Sequence, residues 1–216
     1  MDGRFHFGFC IRLAGPSQCG KTQTLLKLLG NKKSFYPCPP KRVVWVSGSG
    51  VVDTNLENTI KAMYPVNQFF YAIPEEITPL VQEYDFWVFD DMASELKSNT
   101  EFTNFFTKIA HHKNCIMDYL SQNAYEKGAD ATTRTRNCLY QIYFENKADC
   151  RWIRTLGDQL LGNVPQFKAI FKSATREPFA CLLCDNRTTT SIQEQFISNP
   201  FDGTRENPTG YLVPHK

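Results

Sequence analysis

Gly15-Pro16-Ser17-Gln18-Cys19-Gly20-Lys21-Thr22 satisfies the pattern G-x-x-x-x-G-K-[ST] at every fixed position. Each fixed position has a task in gripping a triphosphate. Gly15 and Gly20 permit backbone conformations that a Cβ would obstruct, so the N–H groups of the loop wrap a β-phosphate. Lys21 brings a point charge to the β- and γ-phosphates, and the Thr22 hydroxyl is a ligand for Mg²⁺. The chemistry this spacing points to is binding of ATP with its magnesium, through residues 15–22.

A magnesium-bound triphosphate also needs an acid at the end of a buried strand. Phe86-Trp87-Val88-Phe89-Asp90-Asp91 supplies one. Four apolar residues carry Asp90 to the carboxyl edge of a sheet, where open α/β sheets bind ligands. Asp90 is the expected metal acid, acting largely through water. Asp91 has two readings: it orients the attacking water, or it is a solvated acid or helix cap ahead of Met92.

Gln122 follows the apolar run 115–120, and an amide there can bond both water and phosphate. A capping role at the strand end is its alternative, and Ser121 and Asn123 are equally placed. Arg134 and Arg136 lie in 132–137, read as a flexible loop before a strand. An arginine reaching a neighbour's γ-phosphate neutralises transition-state charge; a basic surface loop is the other reading. Lys32-Lys33, Lys41-Arg42 and Arg151/Arg154 read as solvated surface. His111-His112-Lys113 reads as a helix C-terminus favouring cations, because neighbouring histidines on a helix diverge.

These residues need elements to hold them. Apolar, β-rich runs at 5–13, 43–47, 68–71, 86–89, 115–120, 139–144 and 179–184 predict strands buried on both faces. Helical patterns at 21–29, 52–63, 77–83, 101–111, 151–161 and 166–173 alternate with them, which predicts a parallel sheet with helices on both faces. The organisation expected is one domain over 1–197 and an extended Pro/Gly-bearing tail over 198–216.

Composition agrees with a globular chain: 42% hydrophobic and 21% charged over 216 residues. The formal net charge of +2 gives no strong field toward nucleic acid, so DNA contact needs a local patch or a ring that sums several. The eight cysteines are scattered, and Cys181-Leu-Leu-Cys184 stands without a second pair at zinc-finger spacing. Reduced structural thiols are expected. No run reaches the length of a membrane helix, and the N-terminus is a poor secretion signal. The expected location is inside a cell.

The succession resembles the genome-packaging ATPases of large and mid-sized DNA viruses, virophages and Polinton elements, within the FtsK–HerA group of P-loop proteins. The similar stretches are Phe9-Cys10-Ile11-Arg12-Leu13-Ala14 running into the glycine loop, residues 86–91, and His111-His112-Lys113-Asn114 leading to Gln122. Arg136-Asn137 before 139–144, then Asp149 with the helix 151–161, continue the likeness, which covers about residues 5–185. The histidine pair stands where Arg-His is commoner, and Asn146-Lys147-Ala148-Asp149 lacks the family's proline and arginine.

The resemblance implies a three-layer α/β P-loop NTPase of the ASCE, RecA-like kind, with a mostly parallel central sheet flanked by helices. It also implies a homo-oligomeric ring, pentamer or hexamer, at a capsid portal. That ring drives double-stranded DNA with ATP at sites of virion assembly, in nucleus or cytoplasm. Gln122 would be the polar sensor, and Arg136, or else Arg134, the finger given in trans. Two other classes fit the loop: a small P-loop kinase with 132–136 as a lid, and a non-motor ATPase that gates assembly. The acid Asp91 and the amide Gln122 have no obvious task in a kinase.

Overall fold

Most of the apolar runs become strands for the reason that made them visible, enclosure on both faces; the run at 68–71 is the exception, its strand being half-buried to exposed. The computed structural model describes residues 5, 8, 10–75, 77–92, 100–109, 112, 115–125, 128–201 and 210–212. Among these are β1 (Cys10–Ala14), β2 (Arg42–Ser47), β3 (Val66–Phe70), β4 (Phe86–Asp90), β5 (Ile116–Ser121), β6 (Tyr140–Phe144), β7 (Cys181–Asp185), β8 (Phe196–Ser198) and β9 (Gly210–Tyr211). β1, β5, β6 and β7 are buried at every position.

By its internal contacts the chain divides into two compact units. Unit one is Met1–Arg12, Thr22–Ser121 and Glu126–Cys138; unit two is Leu13–Lys21, Gln122–Tyr125 and Leu139–Lys216. β1 contributes its first three residues to unit one and its last two to unit two.

In unit one the strand order is β3-β2-β4-β5, then β1. β2 pairs in parallel with β3 and β4, and β4 with β5, in the registers Val44↔Trp87 and Trp87↔Met117. One face of β4 packs Trp87 and Phe89 against Phe102, Phe105 and Phe106. Phe89 and Phe102 meet edge to face at 4.6 Å, and Trp87 and Phe105 at 5.3 Å. Full burial of each such ring contributes about 1.5–3 kcal/mol.

These phenylalanines were expected on one helix over 101–111. They stand instead on α5 (Thr100–Asn104) and a π-helical stretch, Phe105–Ile109. Thr107 donates its hydroxyl to the Thr103 carbonyl at 3.0 Å within it, a bond that bends helices. His111, Lys113 and Asn114 lie outside the described residues; His112 is exposed.

The other helices among the described residues of unit one are α1 (Lys21–Gly30, in unit one from Thr22), α2 (Lys32–Phe35), α3 (Thr54–Met63), α4 (Ile77–Leu80) and α6 (Ala129–Asn137). Asp53 starts α3 by accepting the amides of Asn55 and Leu56 at 3.0 and 3.1 Å, an N-cap that the apolar pattern placed two residues early. α6 corrects the expectation of a flexible loop over 132–137. Among its described side chains Ala131 and Arg134 are buried, so a small residue and a charged one stand where an apolar stripe would be read.

In unit two β1 is followed by β6-β7-β8-β9, with β6 through β9 antiparallel. β8 and β9 were not foreseen; β9 lies within the stretch expected as a tail. α7 (Arg151–Leu161) ends at Gly162 with φ 64°, the usual left-handed helix stop. α8 (Val164–Ala174) begins two residues before the expected start, because Asn163 caps it and Pro165 fits its first turn. Trp152 stacks on Tyr143 at 5.5 Å and meets Phe171 edge-on at 5.0 Å.

Candidate functional site

The glycine loop sits between the buried end of β1 and the start of α1. Its two glycines are required for different reasons. Gly15 has no room: an added Cβ would lie 2.7 Å from Cys19 Sγ and 2.8 Å from Phe144 Cβ. Gly20 needs its backbone freedom, with φ +104°. Gln18 also takes a left-handed conformation, φ 63°. The loop is therefore a tight turn packed on Phe144, the last residue of β6.

Lys21 folds back along this loop. Its Nζ donates to the carbonyls of Gly15 and Pro16, each at 2.7 Å, with Cys19 Sγ at 3.9 Å. Burial pushes the Cys19 thiol up, against the opposing pull of the Lys21 ammonium, so Cys19 acts as a neutral, compact contact. Thr22 is half-buried, and the first turn of α1 carries no acidic side chain. A helix start of that kind favours an anion.

The acids form a second constellation, in unit one. β4 stays buried through Phe89 and emerges at Asp90, which is half-buried. Asp91 is exposed, with a left-handed φ of 53°, a conformation Asp tolerates better than most residues. The Gly48 N–H donates to the Asp90 carbonyl at 2.9 Å. A Cβ on Gly48 would stand 2.4 Å from the Asp91 carbonyl oxygen and 2.9 Å from Met92 Sδ. Gly48 thus sets how closely the end of β2 approaches the acid turn. Sequence reasoning saw Gly48 only as a loop residue; its position directly after an apolar strand was the available signal.

β5 lies beside β4, in parallel, as the reading of Gln122 required. Ser121 at its end is buried and accepts from the Arg12 guanidinium at 3.2 Å. Gln122 and Asn123 follow it and are exposed. Arg134 and Arg136 differ sharply. Arg134 is 2% exposed and donates to Thr103 Oγ1 at 3.1 Å, whereas Arg136 is exposed on α6.

Gly15–Lys21 and Gln122 belong to unit two, and Thr22, Asp90, Asp91 and Arg136 to unit one. Elsewhere, Arg42 pairs with Asp85 at 2.6 Å and Arg151 with Asp149 at 3.0 Å. Lys32 sits 3.9 Å from the centre of the Tyr64 ring. These basic residues have partners within the chain. Cys181 and Cys184 are buried in β7.

A mostly parallel central sheet flanked by helices, with a glycine loop joining the first strand to the first helix, defines the α/β fold of P-loop NTPases. Solved structures with this fold include a viral genome-packaging NTPase. B204 of Sulfolobus turreted icosahedral virus 2, in complex with AMPPCP, matches with a TM-score of 0.55 and 13% identity, over 84% of this chain and 94% of that one. B204 of Sulfolobus turreted icosahedral virus, described as its DNA-packaging ATPase, matches with a TM-score of 0.60 and 8% identity, over 86% and 96%. At such identities the likeness is one of fold. No family model matches the chain, and no curated protein sequence does.

Proposed function

We propose that the protein is a magnesium-dependent ATPase that moves double-stranded DNA into a viral capsid. The observation that carries the reading is the loop itself. Both fixed glycines of the motif are demanded by geometry, one by space and one by φ, and Lys21 lies along the same loop. A chance glycine-bearing turn has no reason to meet all three conditions.

In this reading the amides of residues 15–20 grip the β-phosphate, and a triphosphate draws the Lys21 ammonium off the Gly15 and Pro16 carbonyls. Thr22 and Asp90 are hard oxygen donors of the kind magnesium takes, and they would hold Mg²⁺, which neutralises charge on the phosphates. Asp91 orients the attacking water, and Gln122 bonds that water or the γ-phosphate. Arg136, exposed on α6, is the group available to a neighbouring subunit. The DNA substrate is supported by the sequence resemblance and by the shared fold with packaging NTPases, and the ring by the sequence resemblance.

The test is ATP turnover with and without long duplex DNA, across protein concentration. A motor gives turnover that rises with duplex DNA and with the concentration at which rings assemble. Phosphate transfer to a nucleoside or nucleotide from a monomer or dimer would instead identify a kinase. Turnover indifferent to DNA would leave an assembly ATPase.

A further inference from the structure

Phe179 is 71% exposed. The sequence placed it at the start of a strand, but it stands in the turn before β7, where the Ala180 N–H donates to the Glu177 carbonyl at 3.1 Å. Its φ is 65°, a left-handed conformation that is a genuine outlier for a bulky side chain. Neither the strained backbone nor the exposed ring is compensated by burial.

The ring lies against the glycine loop. A Cβ built on Gly20 would be 3.5 Å from both Cβ and Cδ1 of Phe179, and 3.7 Å from Phe144 Cε1. Two aromatic rings therefore flank one loop glycine: Phe144 buried beneath it and Phe179 turned to solvent. A triphosphate held by the loop amides leaves its sugar and heterocycle outside the cradle, where a flat apolar surface can stack on the base.

We propose that Phe179 is the base platform of the nucleotide site, stacking on the heterocycle of a nucleoside triphosphate. The assignment rests on residues 15–22 being the phosphate-binding loop, and adds the part of the ligand that this loop does not touch. Because every base has a π-face, the platform accepts several bases and favours the larger purines.

Binding of Mg-ATP and of inorganic tripolyphosphate to the full chain separates the two ideas, using wild type, Phe179→Ala and Phe179→Trp. The expected result is a loss of about tenfold or more in ATP affinity for Phe179→Ala, with tripolyphosphate affinity held within about twofold. Phe179→Trp keeps ATP affinity, and its added indole emission is quenched by ATP but not by tripolyphosphate. The platform is overturned if Phe179→Ala binds ATP as wild type does, or loses both ligands by the same factor, which would mark a structural prop for the loop. Wild type binding tripolyphosphate as tightly as ATP removes the platform and leaves the phosphate loop standing. Wild type binding neither removes both.

Discussion

The carbonyl oxygen of Asp91 occupies the space that a side chain on Gly48 would need, with 2.4 Å between it and an ideal Cβ. With the Gly48 N–H on the Asp90 carbonyl, this fastens the end of β2 to the acid turn. Gly48→Ala must push that turn away, at a cost of about 1–3 kcal/mol in stability. ATP turnover should fall further than this loss explains, because Asp91 is displaced. Gly50→Ala meets nothing within 4 Å at a φ of +73°; it should cost about 1–2 kcal/mol and keep turnover. Unfolding midpoints and phosphate release measured together distinguish the two.

Asp90 and Asp91 should separate by role. Asp90→Asn weakens magnesium-dependent nucleotide binding as well as turnover. Asp91→Asn keeps nucleotide binding and loses turnover by about 100-fold, the range of a missing general base. Turnover near wild type in Asp91→Asn would reduce Asp91 to a turn residue.

The two arginines of α6 predict opposite phenotypes. Arg134→Ala removes a buried, charge-assisted bond to Thr103 and should destabilise the fold by roughly 2 kcal/mol. Arg136→Ala should change stability by no more than about 0.5 kcal/mol while lowering turnover. Mixing Arg136→Ala with Lys21→Ala subunits should restore part of the activity, since mixed interfaces then pair an intact loop with an intact arginine. Verified mixed rings without rescue would remove the trans role.

Asp118 makes stability depend on pH. It is fully buried in β5, and neither carboxylate oxygen has a hydrogen-bond partner among the described residues. Burial holds its carboxyl well above the ordinary range. The folded state therefore keeps a proton that the unfolded chain gives up. This contribution is fully present below the unfolded pKa and is lost as pH rises toward the folded one, with a slope of up to about 1.4 kcal/mol per pH unit. Asp118→Asn should flatten that dependence and gain relative stability as pH increases. Parallel stability curves over about pH 4 to 8 would contradict it.

Much of the fold was legible because local pattern and tertiary burial agree. The runs at 86–89 and 115–120 became β4 and β5 within a residue, and 151–161 became α7 with the expected bounds. What escaped depends on partners distant in sequence. α6 buries Arg134 and Ala131 in place of an apolar stripe, so its period is silent. β8 and β9 are short, and only pairing with a neighbour makes them strands. The loop motif was plain, but Phe144 beneath Gly15 and Phe179 beside Gly20 were not, because no spacing rule links residue 15 to 144 or 20 to 179.

The central claim is that the 15–22 loop and Asp90 act on a magnesium-bound triphosphate. Steady-state phosphate release from Mg-ATP by wild type, Lys21→Ala and Asp90→Asn tests it most directly. Measurable wild-type turnover should fall on the order of 100-fold or more in each variant, with far-UV spectra unchanged. Turnover that persists in folded Lys21→Ala, or wild type that neither binds nor cleaves Mg-ATP, would contradict the account.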